Sequence, residues 1–311
     1  MKILVTGALG HIGSRVIREL PARFPGMELT LIDDMSAQRY CSLFNLPEGV
    51  RYRFTEGDVT KIDLGPLVKG ADFVLHLAAI TNAAGSFENQ AEVERNNFYG
   101  TQRVADECVR QRVPLLYLSS TSVYGSAAEL VDEDCPESDL NPQSPYAETK
   151  LKEERLLAEL GKKAELPFIV CRFGTIFGIS PGIRFHTAVN KFCWQAVTGK
   201  PLTVWKTAYD QKRPYLDVGD AVNAIELILR ERIFDRRIYN VLTGNYTVRQ
   251  ITDVIRGFVP DLTINFVETQ IMNQLSYEVS CARFQAKGFR AQGDIHRGIS
   301  DTVDLLRGLR A

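Results

Sequence analysis

No stretch of this 311-residue chain approaches the ~20 consecutive apolar residues that cross a bilayer. A membrane partner is therefore not expected. Charge does not lean either way: 37 basic and 38 acidic side chains leave a net −1. That balance argues against a nucleic-acid partner on bulk charge. Cysteine is sparse and scattered, at Cys41, Cys108, Cys135, Cys171, Cys193 and Cys281, with no C-x-x-C and no paired histidine. Neither a disulfide framework nor a zinc site is expected, and the thiols are read as reduced. Met1-Lys2 runs straight into an apolar segment, leaving no room for a signal peptide, so a cytoplasmic protein is expected. There is no internal repeat and no low-complexity tract. What is present is an apolar fraction of 45%, ample for a substantial core.

The amino terminus carries the first chemical signal. Lys2-Ile-Leu-Val-Thr6 suits a buried parallel strand. Gly7, Gly10 and Gly13 follow at once in a G-x-x-G-x-x-G spacing, and an amphipathic helix then bears Val16, Ile17 and Leu20. Gly7 suits a tight turn, Gly10 the approach of a pyrophosphate, and Gly13 close packing of helix on strand. The helix start, at His11 and Ile12, offers unpaired N–H groups and a positive dipole end to phosphates. The next apolar run ends in Asp33-Asp34, 20 residues after Gly13. A carboxylate there accepts hydrogen bonds from ribose hydroxyls and repels a 2′-phosphate. NAD is thus expected over NADP. Arg39, six residues beyond Asp33, is too distant in sequence to change this reading.

A second signal is Tyr146 and Lys150 in Ser144-Pro-Tyr-Ala-Glu-Thr-Lys150. On a helix they share one face. A nearby ammonium stabilises a phenolate, so the pair reads as a proton-transfer device. Ser144 is the predicted N-cap and Pro145 the first helical residue, with Gly161 ending the helix near Leu160.

These features, with others in order along the chain, resemble the extended short-chain dehydrogenase/reductase family of nucleotide-sugar epimerases and dehydratases. Gly57-Asp58-Val59, His76-Leu77-Ala78-Ala79, Asn97-Phe-Tyr-Gly-Thr101 and Ser119-Ser120-Thr121-Ser122-Val-Tyr124-Gly125 all match its motifs. The resemblance implies a Rossmann doubly wound parallel sheet, of α/β class, with a smaller discontinuous C-terminal substrate domain. The NAD-binding domain is placed at 1–173 plus 217–241, and the nucleotide-sugar domain at 174–216 plus 242–311. It implies that Ser120, Tyr146 and Lys150 are catalytic. Asp58, Val59, Leu77, Ala78, Ala79, Asn97, Ser119 and Phe173 join the glycine loop, Asp33, Asp34, Tyr146 and Lys150 around the cofactor. His76 is read as a satisfied core histidine without chemistry.

On the substrate side, Arg172-Phe-Gly-Thr175-Ile-Phe-Gly178 is similar to R-x-x-N-V-Y-G, with Thr175 where Asn is usual. Arg213 matches an arginine that grips the diphosphate, a role its planar fork suits. Thr81, Ser120, Thr121, Ser122, Tyr124, Tyr146, Asn190 and Asn240 complete the expected substrate contacts. Loop 126–143 is read as a flap. The positions after Ser120 hold Thr121 and Ser122, where hexose 4,6-dehydratases of this family carry an acid pair. An epimerase acting on a nucleotide-diphosphate sugar, at C4, is therefore favoured over a dehydratase or keto-reductase, and both over a non-catalytic dinucleotide-binding protein. The family also implies a homodimer through two long helices, one predicted at 89–112.

Overall fold

The computed structural model describes residues 1–83, 85–125, 129–268 and 276–309. Seven short strands form one sheet: β1 (Lys2–Thr6), β2 (Glu28–Asp33), β3 (Arg51–Glu56), β4 (Phe73–His76), β5 (Leu115–Ser120), β6 (Phe168–Phe173) and β7 (Ile238–Val241). Every pairing is parallel, in the order β3-β2-β1-β4-β5-β6-β7. Helices cover both faces, so central strands are buried on both sides rather than alternating; β4 and β6 are buried at every position. The edge strand β3 is largely exposed. The winding reverses between β1 and β4, and the crevice at their carboxyl ends is where such sheets bind ligands.

Helices His11–Arg23 and Val218–Glu231 bury Val16, Ile17, Leu20, Val222 and Ile225 on one face. Helices Gly100–Gln111 and Pro145–Lys163 bury Val104, Cys108 and Leu157 on the other. The helix expected over 89–112 is a succession of pieces. Gln90–Glu94 is α-helical, Arg95–Tyr99 is a π turn, and Gly100–Gln111 is α-helical again. The π turn carries Asn97, as such bulges often mark functional regions.

The Tyr146 helix begins as its sequence dictates, with Ser144 Oγ accepting from Ala147 N at 3.2 Å. It does not stop near Leu160. It continues to Lys163, and Gly161 lies buried inside its last turn. A Cβ on Gly161 would stand 2.6 Å from Phe168 Cε1, so this glycine serves a close helix-to-sheet approach instead of a stop.

Beyond the sheet, a separate core gathers Phe177, Val189, Phe192, Leu202, Val204, Tyr215, Ile251, Ile255 and Ile299. Strand Lys212–Asp217 runs parallel to Thr175–Phe177 and antiparallel to Gly244–Thr247. The stretch read as a flap is anchored from Glu129 onward, where Leu130–Val131 pairs with Glu278–Val279. Its first residues, 126–128, lie outside the described residues. Among the described residues no helix is long and apolar enough to cross a membrane.

Gly161→Ala tests the close approach. Alanine is the better helix former by about 1 kcal/mol, but overpacking against Phe168 costs about 1–3 kcal/mol. The expected outcome is a lower urea midpoint; a raised midpoint contradicts this packing.

Candidate active-site cleft

One cleft of about 640 Å³ runs from the carboxyl ends of β1 and β2 to the second core. The glycine loop forms its floor. Gly7 has φ +64°, and a Cβ there would stand 2.6 Å from Ala78 N. Gly13 is equally confined, with Ala8 O at 2.6 Å from its would-be Cβ. Gly10 differs: its nearest neighbours would be Gly7 O at 3.3 Å and Arg39 Nη1 at 3.9 Å. That side faces open cleft, which suits a phosphate. Gly10 caps helix His11–Arg23 without any side-chain hydrogen bond. The helix's first residues, His11, Ile12 and Gly13, line the cleft, and the uncapped N–H groups of a helix start suit an anion.

Asp33 stands at the end of β2. Its Oδ2 accepts from Leu9 N at 3.0 Å and its Oδ1 from Met35 N at 3.1 Å. Burial pushes its carboxyl above the usual range, while the two N–H donors pull it back. Asp34, Asp58, Val59, Leu77, Ala78 and Ala79 line the same end. The residues present therefore fit a dinucleotide: a glycine cradle, a helix start and a strand-end carboxylate. Arg39, set aside on sequence distance, turns back to the glycine loop and also lines the cleft.

His11 lines the cleft, but its ring is committed elsewhere. Nε2 donates to Gly178 O at 2.8 Å, and Nδ1 has no partner. Burial, with the Arg184 charge alongside, lowers its pKa to about 3, so the ring is neutral. His76 is enclosed between Thr6 Oγ1 at 2.6 Å and Thr101 Oγ1 at 3.0 Å. Burial, then the Lys150 charge, lowers it to about 3 as well.

Ser120, Tyr146 and Lys150 share the cleft wall, with Thr81, Thr121, Ser122, Phe173, Thr175 and Arg213. Ser120 Oγ accepts from Ser122 N at 3.1 Å and lies 2.9 Å from Ser122 Oγ, which donates to it. Lys150 Nζ lies 5.9 Å from the centroid of the Tyr146 ring. Ser119 reaches the cleft too, yet its hydroxyl donates to Glu154. Arg213 stacks on Tyr277 with its guanidinium carbon 5.0 Å from the ring centroid.

Four expected contact residues are not brought into the cleft. Asn97 is fully buried and clasps the backbone of Ile80, accepting from its N at 2.8 Å and donating to its O at 2.9 Å. Tyr124 Oη lies 2.9 Å from Asn240 Oδ1 and 3.0 Å from Asp132 O, two acceptors that share its single proton. Asn240 also donates to Ser280 O at 3.0 Å. Asn190 donates to Arg184 O at 3.0 Å and accepts from Gly178 N at 3.3 Å. Their polar atoms go to backbone, to one another or, for Asn97, also to the Asn96 side chain, so each shapes the wall from behind.

Other residues enter the cleft unannounced by any motif. Arg184 is half-buried, donates to Thr81 Oγ1, and leaves its buried Nε without a partner. Gln143, Thr203, Val204, Trp205 and Gln211 line the far end. Loop position, not periodicity, places them, and no local pattern marks them.

The model of the NAD dependent epimerase/dehydratase family matches residues 3–241. A trifunctional UDP-glucose 4,6-dehydratase/3,5-epimerase/reductase of Arabidopsis thaliana is 30% identical over 97% of this chain and 46% of its own length. The chain thus spans about half the length of that curated relative. An uncharacterized UDP-glucose epimerase of Bacillus subtilis is 31% identical over 74% of this chain and 72% of its own. Among solved structures, MoeE5 in complex with UDP-glucuronic acid and NAD superposes with a TM-score of 0.85 at 27% identity, covering 99% of both chains.

The neutral histidines make stability depend on pH. His76 has a folded pKa of about 3, below its unfolded value of 6.5. Below that unfolded value the unfolded chain binds the extra proton, so stability falls as pH drops, by up to about 1.4 kcal/mol per pH unit per histidine. Between about pH 6.5 and 5 the wild-type urea midpoint should fall more steeply than that of His76→Gln. Parallel curves contradict a neutral His76.

Proposed function

As the chain belongs to the NAD-dependent epimerase/dehydratase family, we propose that it is a nucleotide-sugar epimerase. It oxidises one sugar hydroxyl, at C4 of the hexose, and re-reduces the ketone on its other face. One observation carries this reading. Tyr146, Lys150 and Ser120 share a cleft whose only described carboxylates, Asp33, Asp34 and Asp58, follow β2 and β3 at the cofactor end. Elimination of water needs an acid near the sugar. Glu133 instead accepts from Asn240 N at 2.6 Å and faces Arg283, which also pairs with Asp134. A dehydratase or keto-reductase is the second reading, because the Arabidopsis relative carries those activities in its name.

In this scheme Gly7, Gly10, Gly13 and the helix start would hold the pyrophosphate of NAD. Asp33 would take the adenosine ribose, Asp58 and Val59 the adenine, and Lys150 the nicotinamide ribose. NAD held there would supply a reversible hydride acceptor for the sugar carbon. The Tyr146 phenolate takes the hydroxyl proton as the carbonyl forms and returns it on reduction. Ser120 steadies that oxygen by hydrogen bonding. Thr81, Thr121, Ser122 and Thr175 face the sugar, and Arg213 the diphosphate. The sugar nucleotide rests on the unit formed by 174–216 and 242–311. We assign a cytoplasmic homodimer, joined through the helices around 90–111 and 145–163.

UDP-glucose and UDP-glucuronic acid, named with the relatives, are the first substrates to offer. Purified protein should epimerise one of them without added cofactor. Tyr146→Phe should lower kcat by about 10²–10⁴-fold. Undiminished turnover in that variant, or net accumulation of NADH with oxidised sugar, contradicts the proposal.

A further inference from the structure

Behind Lys150 lies a buried polar chain that the scheme above leaves unused. Lys150 is 3% exposed and Glu153 0%. Lys150 Nζ donates to Tyr117 Oη at 3.0 Å and to Leu118 O at 3.2 Å. It stands 3.3 Å from Glu153 Oε2. Tyr117 Oη donates to the same Oε2 at 2.6 Å, and Thr101 Oγ1 donates to Oε1 at 2.5 Å.

The direction of each hydrogen bond follows from its neighbours. Thr101 spends its proton on Glu153, so its oxygen accepts from His76 Nε2–H at 3.0 Å. His76 Nδ1 is then a bare lone pair and accepts from Thr6 Oγ1 at 2.6 Å. Every donor, from Thr6 through His76 and Thr101 and from Tyr117, points towards Glu153. Such convergence fits an ionised carboxylate and leaves no role for a proton on it. A buried carboxylate needs a counter-charge, and Lys150 is the cation beside it.

We infer that Glu153 is a positioning residue, whose carboxylate holds the Lys150 ammonium and sets how much of its charge faces Tyr146. The inference rests on the reading of Tyr146 as the base. Lys150 lies between two phenols, 4.8 Å from the Tyr117 ring centroid and 5.9 Å from that of Tyr146. Tyr117 keeps its proton, because burial first and Glu153 second push its ionisation well up. Other charges nearby are already engaged. Glu154, next on the helix, turns to Arg172 at 2.6 Å and to Ser119. His76 on β4 is neutral, and Arg184, whose charge also acts on Tyr146, donates to Thr81.

The test reads Tyr146 directly, as tyrosinate ultraviolet absorbance of each full-length protein minus its Tyr146→Phe counterpart. No substrate is needed. Glu153→Gln removes the charge and keeps the shape, so Lys150 acts on Tyr146 unopposed. The midpoint should move to lower pH by about one unit. Tyr117→Phe deletes the hydroxyl shared by Glu153 and Lys150, so the carboxylate tightens on the ammonium, and the midpoint should move to higher pH. Glu153→Asp keeps the charge and should lie closer to wild type than Glu153→Gln does. Unmoved midpoints in folded Glu153→Gln and Tyr117→Phe overturn the inference. If Glu153→Gln does not fold by circular dichroism, Tyr117→Phe decides alone: an upward shift supports it and no shift overturns it. Shifts in protein that turns over no nucleotide sugar would instead sink the functional reading and leave this one standing.

Discussion

A buried ammonium is the constraint around which the rest is arranged. Lys150 is shut away from solvent on the helix Pro145–Lys163. An unpaired charge there would cost several kcal/mol, so the fold surrounds it with a carboxylate, a phenol and a carbonyl oxygen. These partners come from the helix itself and from β5. One residue further on, Glu154 grips Arg172 of β6 through two parallel hydrogen bonds, at 3.0 and 2.6 Å. Two adjacent glutamates thus fasten one helix to two neighbouring strands. Their geometry fixes where Tyr146 stands relative to Ser120, which ends β5.

The cleft's two ends are tied together by a single segment. Gly178 O receives His11 Nε2–H, Ser180 Oγ donates to His11 O at 2.8 Å, and Arg15 Nη1 donates to Ile179 O at 2.9 Å. A Cβ on Gly182 would stand 2.5 Å from Gly10 O. The loop that leads to the second core therefore lies directly on the glycine turn. The same loop carries Arg184, whose buried Nε lacks a partner and lies beside the sugar end of the wall.

Local signals in the sequence described local structure well. The glycine spacing, the carboxylate ending β2 and the Ser144 cap all act over a few residues, and chain geometry leaves them little choice. Ser144 Oγ, for example, accepts from Ala147 N at 3.2 Å. Long-range placement was less legible. Asn97 and Tyr124 stand in motifs, and Asn190 and Asn240 are expected at the substrate, but neither reading says which way a side chain turns, and all four turn inward. Gly161 looked like a helix stop because glycine often is one; only the proximity of Phe168 reveals its other use. Glu153 is the clearest case. A glutamate three residues after a lysine on a helix reads as a surface pair worth a few tenths of a kcal/mol. Its burial depends on Tyr117 and Thr101, distant in sequence.

In the proposed reaction a sugar carbon gives up its hydride inside the cleft and receives the same hydride back. The direct measurement is turnover of a nucleotide hexose bearing deuterium at C4, in ordinary water, with the product read by mass spectrometry and proton NMR. Retention of deuterium at the inverted carbon, with no change in product mass, is the predicted result. Loss of the label to solvent, or a product lighter by one water, would contradict it.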